Sequence, residues 1–253
     1  SANGTRTSFT RDVANIAMDL NGVEHLHFNA LGGADNINVG DLTGTGVTQV
    51  VIDLAGTPGG ATGDGQLDTV SVRGTPGADQ ITITGSGTAV TVAGLSEVVV
   101  IENADATDQL SVLAGAGNDT IDASGLPAGT IGLVIDGGAG NDTIIGSQGA
   151  DTLMGGDGND VVTGGRGNDT AFLGAGGDQF IWNPGDGSDT VDGQGGFDTL
   201  LFNGANIAET IDILANGSRT SFTRDVANIA MGPQSYRVHP FQCARGGGQR
   251  HCR

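Results

Sequence analysis

Gly137-Gly-Ala-Gly-Asn-Asp142-Thr-Ile-Ile145 opens a run of nine-residue units that decides how this chain is read. Gly146-Ser-Gln-Gly-Ala-Asp151-Thr-Leu-Met154, Gly155-Gly-Asp-Gly-Asn-Asp160-Val-Val-Thr163, Gly164-Gly-Arg-Gly-Asn-Asp169-Thr-Ala-Phe172 and Leu173-Gly-Ala-Gly-Gly-Asp178-Gln-Phe-Ile181 follow without a gap. Two inserted residues, Trp182 and Asn183, break the phase. It resumes with Pro184-Gly-Asp-Gly-Ser-Asp189-Thr-Val-Asp192 and Gly193-Gln-Gly-Gly-Phe-Asp198-Thr-Leu-Leu201. All seven units share Gly at the fourth place and Asp at the sixth. Self-similarity at a fixed short period is the mark of a stacked, quasi-one-dimensional architecture.

The unit reads as six turn residues and three strand residues. Glycines supply positive φ and close backbone approach in the turn. In the strand triplet the middle side chain points one way and its neighbours the other. The inward set is then Ile144, Leu153, Val162, Ala171, Phe180, Val191 and Leu200, with Ala171 the weak member. Two units make one coil of roughly 18 residues, coils stack at about 4.8 Å, and each unit lies beside the unit two places on. The sixth-place carboxylates then line up along each edge and repel one another. A hard cation between neighbouring turns would convert that row into an oxygen cage of carboxylates and turn carbonyls.

The run resembles the RTX (repeat-in-toxin, hemolysin-type) calcium-binding repeats, whose pattern is G-G-x-G-x-D-x-U-x. The resemblance implies an all-β chain built as a parallel β-roll or β-solenoid with Ca²⁺ in its turns, exported by type I secretion. The carboxylate ligands it implies are Asp142, Asp151, Asp160, Asp169, Asp178 and Asp189. The carbonyl ligands it implies come from the second and fourth places, at Gly138, Gly140, Gly156, Gly158, Gly165 and Gly167. This chain departs from the pattern at Ser147 and Gln148, at Leu173 in place of a first Gly, and at Pro184 in place of another. Asp198 closes the array with no later turn to pair with.

Upstream the same grammar fades. Gly74-Thr-Pro-Gly-Ala-Asp79-Gln-Ile-Thr and Ala114-Gly-Ala-Gly-Asn-Asp119-Thr-Ile-Asp are single units, and Asp35, Asp68 and Asp108 belong to degenerate ones. Asp79 and Asp119 are open between calcium binding and simple turn capping. Between them lie strand-like runs at Gln49–Leu54, Val70–Val72, Ile81–Thr84, Ala89–Val92 and Val98–Ile101. They suit a solenoid with longer coils or a small sandwich. Glu24-His25-Leu26-His27 alternates like a strand with both His on one face, which suits surface residues or a metal site. Asn3, Asn118, Asn141, Asn168 and Asn216 fit N-x-[ST]. Three of them hold the fifth repeat place, where tolerance of the left-handed region explains Asn better than glycosylation does.

A longer repeat frames the short one. Residues 2–18 and 215–231 differ only at Thr5 and Ser218, an offset of 213 residues. The expected organisation is therefore the end of a preceding module copy (1–18), a β-rich region with degenerate repeats (19–135), the calcium-binding β-roll (136–203), and a β-rich start of the next repeat segment (204–231). Residues 232–253 hold four Arg and both Cys but no acid, and their likeness to the first copy stops abruptly. They are expected to be an unrelated, disordered tail: a frameshifted end, a cloning remnant or a junction.

Composition narrows the function. The chain has 253 residues, 47 Gly, 29 acidic residues, ten Arg and no Lys, for a formal net charge of −19. Nucleic-acid phosphates need clustered Lys and Arg, so nucleic acid is not an expected partner, nor is membrane insertion. Aromatic residues make up 4% of the chain, so a bound cation is the natural offset to the entropy of ordering so much Gly. No zinc-protease motif, nucleophile elbow or phosphate loop is present, and the expectation is a non-enzyme. The leading reading is a calcium-binding structural module of a secreted or cell-surface repeat protein that folds after export. Its partners would be calcium ions, with the cell surface and sister modules as further candidates. The alternative is an accessory domain of a secreted protease, lipase or epimerase. An ice-binding solenoid would want a Thr ladder, hinted at by Thr143, Thr152 and Thr170 but interrupted by Val161 and Gln179.

Overall fold

The computed structural model describes residues 2–11, 16–217, 219–224 and 229–234. Among these residues the chain winds between two long sheets and forms no helix. One sheet has ten strands and the other eleven, and from His25 onward successive strands mostly alternate between them. Within the array the pairing is parallel: Thr143 lies beside Val161, Thr152 beside Thr170, and Val162 beside Phe180. The expected coil of two units is therefore observed, with unit i beside unit i+2.

The same two sheets extend upstream of the array. Strands His25–Asn29, Gln49–Asp53 and Val98–Glu102 stack in the first sheet. Asn36–Val39, Thr69–Arg73 and Gln109–Ala116 stack in the second. Residues 25–135 are thus solenoid rather than sandwich, and they run into the roll without a break. One irregularity has no counterpart in the repeat. Gln80–Ser86, Ala89–Ala93 and Val98–Glu102 form an antiparallel meander inside the first sheet. Gly87 at φ 65° makes its first tight turn.

The nine-residue unit is also less uniform than six turn and three strand residues. Triplets such as Thr143–Ile145 and Val161–Thr163 occur in the first sheet. In the second sheet Asp151–Asp157 and Thr170–Gly176 run on through the first glycines. The pairing continues there because the Gly140 N–H donates to the Asp157 carbonyl and the Gly158 N–H to the Ala175 carbonyl, each at 2.7 Å.

Two facing columns of apolar side chains run through the interior, with further buried residues such as Ile83, Leu110, Leu133 and Leu173 beside them. Ile81, Ile121, Ile144, Val162 and Phe180 stack in register on one sheet. Val72, Val112, Ile135, Leu153, Ala171 and Val191 stack on the other. All are buried in one continuous core, Ala171 included. Leu200, at the last coil, is only partly buried. Trp182 is fully buried at the phase break: its indole N–H donates to the Gly187 carbonyl at 3.0 Å, and its ring stacks on Phe202 at 4.2 Å.

Antiparallel strands lie at both ends. Ala2–Asn3, Arg6–Arg11 and Ile16–Leu20 form a three-stranded sheet, and Phe9 meets Phe28 of the first coil at 6.1 Å. Ile211–Asn216, Arg219–Arg224 and Ile229–Gln234 form the other, and Phe222 meets Phe202 of the last coil at 4.2 Å. Gly232, Pro233 and Gln234, expected in the disordered tail, pair with Thr190–Asp192 as part of that last strand. The remainder of the tail, 235–253, lies outside the described residues.

Phe180→Ala is expected to destabilise the fold by roughly 3–5 kcal/mol, since it empties a fully buried aromatic site. Leu214→Ala, at a side chain 60% exposed, is expected to change stability by less than about 0.5 kcal/mol. Chemical denaturation of the two variants in one buffer checks the contrast.

Candidate metal centre

The sixth-place aspartates form ladders along the two edges of the solenoid. On one edge the main-chain N–H of Asp79 donates to Oδ1 of Asp119, that of Asp119 to Asp142, and so on through Asp160 and Asp178 to Asp198, at 2.8–3.1 Å. On the other edge Asp151 donates to Asp169 and Asp169 to Asp189. An upstream ladder on that edge joins Asp35, Asp68 and Asp108. Stacking in register produces this geometry: each carboxylate lies one coil beyond the amide it accepts from. The six candidate carboxylates named from sequence all fall in the ladders, and so do Asp79, Asp119 and Asp198.

One oxygen of most rungs is left over. Oδ2 of Asp119, Asp142, Asp160, Asp169, Asp178 and Asp189 is buried and accepts no hydrogen bond, as is Oδ2 of Asp68. The residues themselves are 1% exposed. An unmatched buried polar group costs about 1–3 kcal/mol, and more when charged. Six of them amount to on the order of 10 kcal/mol, comparable with the whole stability of a domain. No protein cation offsets them: among the described residues the ion pairs are Arg6–Asp19 and Arg224–Glu209, both away from the ladders.

Glycine creates the space around these oxygens. A methyl placed on Gly137 would lie 2.5 Å from Asp142 Oδ2 and 2.6 Å from the Gly155 carbonyl oxygen. On Gly155 it would lie 2.6 Å from Asp160 Oδ2 and 2.2 Å from the Leu173 carbonyl oxygen. A carboxylate oxygen and a neighbouring-turn carbonyl therefore converge at each of these first-place glycines, as they also do at Gly146 beside Asp151 and at Gly74 beside Asp79, so the unmatched Oδ2 rather than the convergence marks the candidate sites. The second and fourth places have a different constraint. Gly156 and Gly158 hold φ 109° and 135°, and a Cβ on either would collide with the carbonyl of Gly138 or Gly140 one coil back. The carbonyls of Gly138, Gly140, Gly156, Gly158 and Gly167 all face a glycine of the next coil in this way. That of Gly165 does not, because Trp182 and Asn183 displace the turn that follows; a methyl on Gly185 would meet nothing within 4 Å.

This donor set fits a hard divalent cation. It offers oxygen only, each carboxylate has one oxygen lacking a partner, and carbonyls of the neighbouring turn lie beside it. Burial itself pushes the carboxyls up: Asp151, Asp160 and Asp189 from 3.8 to about 6, Asp169 to about 8, and Asp119, Asp142 and Asp178 in the same direction.

The family model for the RTX calcium-binding nonapeptide repeat matches four copies, over residues 111–125, 134–162, 145–180 and 185–200. Residues 111–200 carry RTX calcium-binding repeats. Such repeats bind Ca²⁺ and form a structural module rather than a catalytic one. A search among curated proteins finds no match.

Other candidates from the sequence resolve differently. The fifth-place asparagines are not in the left-handed region, since only Leu31, Asn103 and Gln194 among non-glycine described residues have positive φ. They build an amide ladder of their own. The side-chain carbonyl of Asn118 accepts from the Asn141 N–H, Asn141 from Asn159, Asn159 from Gly177 and Asn168 from Ser188. His25 Nδ1 lies 3.1 Å from Gln49 Oε1, while His27, Asp53 and Glu102 bring ligand atoms within 4.8 Å of one another on adjacent strands. The threonines split between sheets: Thr152, Thr170 and Thr190 form one row, and Val161 and Gln179 interrupt the other.

The raised carboxyls set a pH dependence for calcium-free protein. A carboxyl whose folded pKa exceeds its unfolded value holds more protons when folded, so stability falls as pH rises between the two values. The penalty is absent below about 3.8 and complete above about 8, the highest of these values. In chelator, β-structure by circular dichroism is expected to be stronger at about pH 5 than at about pH 8. A calcium-free spectrum that gains order as pH rises would contradict this.

Proposed function

We propose that this chain is a calcium-binding structural module of a secreted or cell-surface repeat protein, and that it folds when calcium reaches it after export. The observation that carries the reading is the file of buried carboxylate oxygens with no hydrogen bond and no protein cation. Ca²⁺ would be held by Asp119, Asp142, Asp160 and Asp178 on one edge and by Asp169 and Asp189 on the other. Turn carbonyls would complete the shell: those of Gly155 and Leu173 beside Asp142 and Asp160, with those of Gly138, Gly140, Gly156, Gly158 and Gly167 as further donors. The ion supplies the positive charge that the chain, with net charge −19, does not. Binding free energy then becomes folding free energy.

Export follows from the same physics. Sites of the weak extracellular kind fill only at roughly 10⁻⁴–10⁻³ M calcium. Inside a cell the array stays extended through self-repulsion, and outside it closes. The modular reading rests on the duplicated 17-residue segment at 2–18 and 215–231. In its first copy Phe9 contacts the coil that follows, and in its second Phe222 contacts the coil that precedes. A segment with one contact on each side suits a joint between consecutive modules. Residues 1–18, 19–135, 136–203 and 204–231 are the parts of that arrangement.

Calcium titration of the chelated chain tests the reading. The expected result is a coil-to-β change in circular dichroism that chelator reverses. Asp142→Asn and Asp160→Asn are each expected to raise the calcium midpoint about ten- to a hundredfold, from the loss of one charged contact of about 1.5–3 kcal/mol. A spectrum indifferent to calcium after complete metal removal would rule the reading out.

A further inference from the structure

Two turns of the solenoid handle their aspartate differently from the rest. At Asp151, Oδ2 accepts from the main-chain N–H of Ser147 at 2.5 Å and Oδ1 from the Ser147 hydroxyl at 2.8 Å. The same hydroxyl accepts from the Gly149 N–H at 3.0 Å. At Asp79 the arrangement recurs with another residue: Thr75 N–H to Oδ2 at 2.7 Å, Thr75 hydroxyl to Oδ1 at 3.0 Å, and Gly77 N–H to that hydroxyl at 3.1 Å. Both carboxylates are buried, yet neither has an unmatched oxygen.

The difference lies at the second place of the unit. Gly115, Gly138, Gly156, Gly165, Gly174 and Gly185 occupy it in the turns of Asp119, Asp142, Asp160, Asp169, Asp178 and Asp189, all with φ between 87° and 113°. Each of those six aspartates has an unmatched Oδ2. Ser147 and Thr75 are not in that conformation, and their N–H groups turn onto the carboxylate instead.

Position in the ladder is the second observation. Asp151 and Asp79 are both first rungs. Their own N–H groups donate onward to Asp169 and Asp119, but among the described residues no aspartate N–H donates to them. The coil before Asp151 places Leu133 in register with it rather than an acid. Beside the strand that follows Asp79 lies the antiparallel strand Ala89–Ala93, not another coil. The hydroxyl thus stands where the previous rung's amide would be, and the turn amide satisfies the oxygen that the other rungs leave unmatched.

We infer that Ser147 and Thr75 terminate the two calcium files, so that Asp151 and Asp79 are structural rungs that take no Ca²⁺. This rests on the calcium-binding reading above and refines it. A carboxylate with both oxygens already matched gains little from a cation, and at a first rung no carboxylate lies on the preceding coil to share one. A hydroxyl four residues before the aspartate thereby marks where a file begins.

The test is calcium stoichiometry of the whole chain by isothermal titration calorimetry, with circular dichroism to confirm folding. Asp151→Asn, Asp79→Asn and Ser147→Ala are expected to bind the same number of ions as the parent chain. Asp169→Asn is expected to bind fewer. Ser147→Ala keeps the turn amide that Oδ2 accepts from, so it remains informative if Asp151→Asn fails to fold. Loss of one ion in folded Ser147→Ala or Asp151→Asn overturns the inference and leaves the calcium reading intact. A parent chain that binds no calcium overturns both.

Discussion

The hydrogen bond from one aspartate amide to the carboxylate of the next coil is the contact on which the rest of the structure depends. It fixes register, because a one-residue slip would turn every side chain to the opposite face. In the array that slip would expel Ile144, Val162 and Phe180 from the core along with their partners. The same bond uses one carboxylate oxygen and leaves the second buried. The interaction that organises the fold therefore also creates its electrostatic problem, which a bound Ca²⁺ would resolve.

Close approach between coils is what this arrangement demands. Carbonyls of one coil face the Cα atoms of glycines in the next, at separations where any Cβ would collide. The glycines are required by packing between coils as well as by backbone conformation. They contribute no side-chain burial, so the core within the array is thin, resting mainly on one inward residue per unit from Ile144 to Val191 with Leu173 and Trp182 beside them, whereas the upstream strand Gln109–Ala116 buries Leu110, Val112 and Ala114. A core that thin, ordered against the backbone entropy of so much glycine, leaves a large role to the cation.

Much of this is legible in the sequence because the repeat encodes it directly. The nine-residue period yields the coil, the pairing of units two apart, and the inward column from Ile144 to Val191. The runs from Gln49 to Ile101 have the alternation of strands, and they are strands. What the period does not carry is harder to see. The meander at Gln80–Glu102 follows no repeat, and only its Gly87 turn signals it. A single unit assigns the fifth-place asparagines to local backbone conformation, whereas Asn141 and Asn159 act between coils, which one unit does not reveal. Ser147 stands out as a departure from the pattern. Its hydrogen bonds to Asp151 need three dimensions, although Thr75 before Asp79 repeats the same spacing in plain sequence.

Trp182, the only Trp, is fully buried between the array and the last coil and reports on both. Equilibrium unfolding followed by its emission, repeated across a range of free calcium, tests most directly whether the cation holds the roll together. A ligand that binds the folded form alone raises stability by RT ln(1 + [L]/Kd) at each site. The account predicts unfolding free energy that climbs with log calcium at a slope of several ions. A slope of zero, with Trp182 equally buried in chelator and in calcium near neutral pH, would contradict it.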